Sequence, residues 1–309
     1  MRAADLFAGA GGFSEGARAA GLGVVFAANH WERAVELHAT RHPDAEHVCQ
    51  DLRQYDFRSM PDVDVLLASP ACQGHSNAGQ GARGRWGLDH SHHNSDRSTA
   101  WAVVDAAEAK RPPFLIVENV PQFLDWELYP VWKEALRRLG YGLSEQTLDA
   151  ADAGTAQNRE RVFVVGTHGK DAPPVRLDEC SWTPARSILN VCGGKGWVPI
   201  VDKSMKVQER VANGRRNGLG DVFLTQHVTN HPGRSLDRPL PTVTCAPGQL
   251  AIVNHDLIRL LSDEELLAAQ DFPADYFAGV KVTRKEAAKL AGNAVPVRLA
   301  EAVIRKAVA

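Results

Sequence analysis

Over its first 170 residues the chain alternates short apolar runs with longer amphipathic stretches, and no other feature restricts the fold so strongly. The apolar runs are Ala4 to Phe7, Val24 to Ala28, Asp64 to Ala68, Phe114 to Glu118 and Arg161 to Gly166. Between them, Phe13 to Ala20, Glu32 to Arg41, Ala100 to Ala109 and Pro130 to Leu139 carry the period of a helix. Strands of a parallel sheet are covered on both faces by their crossover helices, so they read as continuous apolar runs. The pattern therefore predicts an α/β fold with a mostly parallel sheet and helices on both faces.

Past Gly166 the alternation fades, and Pro, Gly and Asn accumulate among short apolar pieces as far as Gly248. Helical patterning resumes at Ser262, placed to cap a helix with Glu265 as its capping-box partner, and a last amphipathic segment runs from Val297 to Val308. We expect an α/β domain over 1–172, a small irregular domain over 173–250, and a C-terminal segment, 251–309, that returns to complete the first domain.

A net charge of −2 over 309 residues argues against a general nucleic-acid coat, but the charge is uneven. Between Ser181 and Cys245 there are nine Lys and Arg residues, Arg215 and Arg216 among them, and four acids. A basic segment in a near-neutral chain suits a polyanion partner or a solvated loop region. Hydrophobic residues at 44% and charged residues at 23% exclude a disordered tail or a small disulfide scaffold. The five cysteines are odd in number and include no Cys-x-x-Cys pair, so neither a disulfide framework nor a metal cluster is expected. With no long apolar run and no signal-peptide layout at Met1 to Asp5, the expectation is a cytoplasmic protein without a membrane partner.

Asp5-Leu6-Phe7-Ala8-Gly9-Ala10-Gly11-Gly12-Phe13-Ser14 sets a glycine loop between the first strand and the first helix. Glycines there let a ligand approach the backbone at a helix N-terminus. Ser14 occupies the place of the last glycine of the dinucleotide fingerprint, which disfavours NAD. Another nucleoside-bearing cofactor, such as S-adenosylmethionine (SAM), suits the same strand-loop-helix platform. The second strand ends at Asn29-His30-Trp31, where the indole offers a stacking face for adenine, and Asp51 is placed to accept from an exocyclic amine. Each also has an ordinary structural reading, Trp31 as core and Asp51 as a helix cap.

A third apolar run leads straight into Ser69-Pro70-Ala71-Cys72. Ligands of open α/β sheets bind beyond the carboxyl ends of the strands, so Cys72 stands where chemistry is expected. The segment after it carries Gly79, Gly81, Gly84 and Gly87 with Arg83, Arg85 and Arg97, the composition of a cationic loop able to close over a substrate. His90, His92 and His93 within it match no zinc spacing, so no metal is expected.

Together these segments resemble the cytosine-C5 DNA methyltransferase family. Asp5 to Gly12 is similar to its first motif, Pro70-Ala71-Cys72-Gln73 to its nucleophile motif, and Glu118-Asn119-Val120 to its catalytic Glu-Asn-Val. Gln157-Asn158-Arg159-Glu160-Arg161 resembles its Gln-x-Arg-x-Arg motif, Arg238 to Thr244 the end of its target-recognition region, and Gly292-Asn293-Ala294-Val295-Pro296 its last motif. The order and spacing agree from end to end. Two positions depart from the pattern: Ala71 replaces the proline that usually precedes the nucleophile, and His30 aligns with the acid that binds the ribose hydroxyls.

The resemblance implies a SAM-dependent methyltransferase-type, Rossmann-like fold with a small target-recognition domain. It implies a SAM site formed by Phe7, Ala8, Gly9, Gly11, Gly12, His30, Trp31, Asp51, Leu52 and Asn293. Cys72 would add to C6 of a flipped-out cytosine in duplex DNA, activating C5, which is too electron-poor to attack unaided. Glu118 would protonate N3, Arg159 would hold the cytosine carbonyl oxygen, and Arg161 would support Glu118 or the pocket. Arg159 and Arg161 are expected on one face of a strand, two residues apart. Arg83, Arg85, Arg97, Arg215 and Arg216 are the expected DNA contacts, and the protein is expected to be a monomer, with a cognate restriction endonuclease as a possible partner. Three rivals stay open: an RNA cytosine methyltransferase with the same motifs, a binding protein on a decayed scaffold, and a transferase using a modified SAM.

Overall fold

A computed structural model describes residues 1–71 and 98–309. The chain divides into two compact units, one formed by Met1–Asp149, Glu160–Asp178 and Val297–Ala309, the other by Ala150–Arg159 and Glu179–Pro296.

The first unit opens with β1 (Arg2–Leu6), α1 (Gly12–Ala19), β2 (Gly23–Asn29), α2 (Glu32–Arg41), β3 (Glu46–Cys49) and β4 (Val65–Ala68). It continues with α3 (Trp101–Lys110), β5 (Phe114–Asn119), α4 (Tyr129–Arg138), β6 (Tyr141–Asp149) and β7 (Glu160–His168). The seven strands lie in the order β3-β2-β1-β4-β5-β7-β6, all parallel except β7, which is antiparallel to both its neighbours. This is the mostly parallel α/β sheet that the apolar runs predict. β3 and β6 were not expected: β3 has only four residues, and β6 lies at the sheet edge, where most of its side chains are half-buried and no apolar run is needed.

Strand alternation divides the core. Ala4 and Leu6, with Leu66, Leu115 and Val117, pack beneath Val103 and Ala106 of α3 and Trp132 and Leu136 of α4. On the opposite face Phe163 of β7 meets Phe13 of α1 edge-on at 6.2 Å. Here α1 is also covered by α8, the last helix (Val297–Ala307). Trp132 is fully buried, and its indole N–H donates to the Ala100 carbonyl at 2.8 Å, so the largest core side chain leaves no orphan donor.

The second unit holds β8 (Val198–Pro199), α5 (Met205–Arg216), β9 (Val222–Gln226), β10 (Leu250–Asn254), β11 (Leu257–Leu260), α6 (Asp263–Ala268) and α7 (Arg284–Asn293). Its antiparallel sheet runs β8-β11-β10-β9. The domain end expected at 250 falls inside this sheet: β10 pairs with β9 on one side and β11 on the other, so the segment through α7 stays in the second unit. Only α8 (Val297–Ala307) belongs to the first. Residues 150–159 were also expected in the first domain, but Asn158 N–H donates to the Leu240 carbonyl and Leu240 N–H to the Ala156 carbonyl. The Ser262–Glu265 capping box forms as expected, and Thr283 with Glu286 makes a second one at α7.

Gly16 marks the closest approach of α1 and α8: a Cβ there would lie 2.5 Å from that of Ala300, so any side chain would force the helices apart. No helix among the described residues is long and apolar enough to cross a membrane.

Candidate active site

β1 ends at Leu6, and the backbone turns left-handed at Phe7, with φ of 62°, again at Gly9 with 57°, and at Gly11 with 89°. Glycine takes such angles without penalty, whereas Phe7 is strained at a cost of roughly 1–3 kcal/mol, as is usual where a loop is shaped for a ligand. Ala8 N–H donates to the Ala28 carbonyl and Gly11 N–H to the Ala8 carbonyl, tying the loop to the end of β2. A shallow, open depression lies against the loop, lined by Ala8, Gly9, Asn29, Val35, His38 and His47.

At the end of β2, Trp31 stands at the N-cap of α2, half-buried, with its backbone N–H donating to the Asn29 side chain at 2.9 Å. His30 beside it is exposed. Asp51 caps the short turn that begins at Leu52, accepting from Arg53 N–H at 3.1 Å, and both its oxygens are engaged by the Arg53 guanidinium. That pairing holds the Asp51 carboxyl below its ordinary range. Leu52 is buried.

β4 runs into Pro70 and Ala71, the last described residues before Cys72. Two side chains hold this exit: Asn119 Nδ2 donates to the Pro70 carbonyl at 3.1 Å, and Thr99 Oγ1 accepts from Ala71 N–H at 3.0 Å. Cys72, Arg83, Arg85 and Arg97 lie outside the described residues.

β5 pairs with β4 and ends in Glu118 and Asn119. The Glu118 carboxylate faces Arg161 of β7, Nε to Oε1 2.9 Å, with both side chains about nine-tenths buried. Glu118 and Phe163 are opposed in the β5–β7 register, which brings Arg161 to the end of β5. A buried carboxylate at the carboxyl end of β5 thus stands with its counter-cation at the amino end of β7, beside the exit toward Cys72.

Arg159 does not share a strand face with Arg161, because β7 begins one residue later, at Glu160. It is 2% exposed, and its guanidinium donates to the Val243 carbonyl at 3.0 Å and the Gly292 carbonyl at 2.7 Å. Gln157 does similar work, donating to the Ala269 carbonyl and accepting from Val243 N–H. Asn293 is exposed and accepts from the Cys245 thiol at 2.9 Å. Arg215 and Arg216 lie in the last turn of α5; Arg215 donates to the His255 carbonyl and pairs with Asp256, and Arg216 bonds Asn213.

Two groups were missed at the sequence level. Thr99 has no motif. The buried His38 and His42 and the half-buried His47 lack the crowding that drew attention to His90, His92 and His93, although the four-residue spacing of His38 and His42 on an amphipathic helix is a readable signal.

A family model described as C-5 cytosine-specific DNA methylase matches residues 1–226 and 199–309, which together span the chain. The type II methyltransferase M1.HphI of Haemophilus parahaemolyticus is 27% identical over 330 residues, covering 97% of this chain and 84% of that protein. The type II methyltransferase M.HindV of Haemophilus influenzae is 25% identical, covering 98% and 95%. Among solved structures, a putative DNA modification methyltransferase encoded within an E. coli prophage superposes with a TM-score of 0.70 at 19% identity, covering 99% of this chain and 98% of that one. A mutant DNMT2 of Spodoptera frugiperda reaches 0.73 at 16% identity, covering 100% and 99%. These structures share the fold. The chain belongs to the C-5 cytosine-specific DNA methylase family.

Proposed function

We propose that the protein transfers a methyl group from SAM to C5 of a cytosine in duplex DNA, through a covalent bond between Cys72 and C6. The observation that carries this reading is the buried Glu118–Arg161 pair beside a Pro70–Ala71 exit held by Asn119 and Thr99. A carboxyl and a guanidinium fixed together match the N3 and O2 edge of cytosine.

The loop fits a nucleoside cofactor on its own geometry: a strained Phe7, left-handed glycines and a depression against Ala8 and Gly9. Phe7, Ala8, Gly9, Gly11, Gly12, His30, Trp31, Leu52 and Asn293 are the residues that would hold SAM, which supplies the electrophilic methyl group. Asp51 would accept from the adenine amine with Arg53 fixing its orientation.

On the base side, the Cys72 thiolate attacks C6 while Glu118, protonated from water before the base seals the pocket, delivers that proton to N3, so that electron density collects at C5. Arg161 holds the Glu118 carboxyl and faces the base oxygen, the role first expected of Arg159. Arg159 instead supports the second unit, through the two carbonyls to which it donates. After C5 is methylated, loss of the C5 proton, expulsion of the thiolate and return of the N3 proton to Glu118 restore the neutral aromatic ring. The target must leave the duplex for this chemistry, at a cost of a few kcal/mol. Arg83, Arg85 and Arg97 would clamp the opened strand, with Arg215 and Arg216 meeting backbone phosphates. A cognate restriction endonuclease would be the physiological partner.

The test offers labelled SAM with mixed-sequence duplex DNA and, separately, transfer RNA. Label entering DNA and absent from RNA supports the reading. Label entering RNA alone replaces the DNA substrate with an RNA one.

A further inference from the structure

Below the glycine loop lies a set of polar side chains that this chemistry does not use. Asp5 is on β1, Ser14 in the first turn of α1, His38 and His42 one turn apart on α2, and His47 on β3. Asp5, Ser14 and His38 are essentially fully buried, while His47 is half-buried. Ser14 Oγ is 2.7 Å from Asp5 Oδ2, His38 Nε2 is 2.8 Å from Ser14 Oγ, and His38 Nδ1 is 2.8 Å from His47 Nε2. The three bonds form one unbranched chain from a sealed carboxyl to a ring within reach of water.

Such a chain must run in one direction, because a neutral imidazole carries a single N–H and a carboxylate only accepts. With Asp5 ionised, Ser14 donates to Asp5, His38 Nε2–H donates to Ser14, and His47 Nε2–H donates to His38 Nδ1. With Asp5 protonated, every bond reverses. Asp5 then donates to Ser14, Ser14 to His38 Nε2, and His38 Nδ1–H to His47 Nε2. His47 then carries its own proton on Nδ1, the ring nitrogen not engaged by His38. The two states differ by one proton. When Asp5 ionises, each bond hands on one proton and the surplus leaves His47 Nδ1 for water.

The surroundings favour this titration. Burial raises the Asp5 carboxyl to about 7. It also shifts the rings of His38 and His47 below the ordinary imidazole range, which favours their neutral forms. Neighbouring charges are already paired: Glu15 of α1 bonds Arg18 and faces His42, whose ring lies 4.5 Å from that of His38. On α8, packed behind α1, Glu301 pairs with Arg305. β2 carries no charged side chain.

We propose that Asp5, Ser14, His38 and His47 form a proton relay between water and the carboxyl beneath the glycine loop, and that ionised Asp5 strengthens the loop's hold on a cationic methyl donor. The second half rests on the cofactor reading above; the first does not.

The relay is tested on the whole protein with ¹⁵N-labelled histidine, following the ring nitrogens from about pH 5.5 to about pH 8.5. His38 should stay neutral and move its proton from Nδ1 to Nε2 as pH rises through about 7, with His47 following the same midpoint and Asp5→Asn abolishing the switch. A single His38 tautomer throughout, or a His38 cation above pH 6, overturns the relay. Calorimetry then compares SAM with S-adenosylhomocysteine, which lacks the positive charge. SAM should bind roughly fivefold more tightly above the midpoint than below it. S-adenosylhomocysteine should not change, nor should SAM binding to Asp5→Asn. Equal pH dependence for both ligands overturns the coupling. If neither ligand binds, the cofactor reading fails, while the ring spectra still decide the relay.

Discussion

Arg161 Nε stands 2.9 Å from Glu118 Oε1, and the pair joins the ends of two neighbouring antiparallel strands in a nearly water-free position. Removing one partner leaves a buried charge uncompensated, which costs about 3–5 kcal/mol. Arg161→Ala should therefore lower both stability and methyl transfer. Glu118→Gln should retain the fold and the binding of S-adenosylhomocysteine while slowing methyl transfer by roughly 100-fold or more. Thermal melting and labelled-methyl assays on both variants read the two effects separately. Glu118→Gln with undiminished turnover would exclude the carboxyl from the chemistry.

Arg159 predicts a different outcome. Its two donors to the Val243 and Gly292 carbonyls are charge-assisted and buried. Truncation to Ala should cost about 3–5 kcal/mol, measured by denaturant unfolding. Since Lys cannot reproduce a guanidinium fork, Arg159→Lys should recover only part of that loss. Full recovery would show that charge alone matters there.

Asn119 holds the Pro70 carbonyl, one residue short of Ala71. Asn119→Ala should reduce turnover by roughly 10-fold or more by loosening the approach to Cys72, with little change in cofactor affinity. Isothermal binding and single-turnover rates distinguish this from a general loss of folding.

Asp5 makes a prediction about stability and pH. Its folded-state pKa is raised by burial from 3.8 to about 7, so in that window the folded protein holds a proton the unfolded chain has released. Stability from this group is fully present below the unfolded value and falls as pH rises to about 7, by an amount on the order of 4 kcal/mol. Asp5→Asn should lack that fall, so the melting curves of variant and wild type should diverge in the variant's favour between pH 5 and pH 8. Parallel curves would mean that Asp5 is ionised throughout.

The legible part of the fold is what burial imposes directly. The central strands must be apolar on both faces, so Val65–Ala68 and Phe114–Asn119 announce themselves. Tyr141–Asp149, an edge strand, is under no such demand. The limits of the second unit are less readable because pairing, not composition, assigns β10 and β11 to it. Within the candidate site, Glu118 and Arg161 could be read from motif positions, and support of Glu118 by Arg161 was already an expectation. The separation of Arg159 from Arg161 could not, since it depends on one residue in where β7 begins. The Asp5–Ser14–His38–His47 chain was equally hidden: its members are spread over β1, α1, α2 and β3, and only the folded arrangement of these four elements makes them neighbours.

The most direct test of the central claim is the identity of the product. Duplex DNA labelled from SAM by the wild-type protein, digested to nucleosides and resolved by mass, should carry its label in 5-methyldeoxycytidine alone, with none from Cys72→Ala. Label on an exocyclic nitrogen of cytosine or adenine, or label that survives the loss of Cys72, would contradict the account.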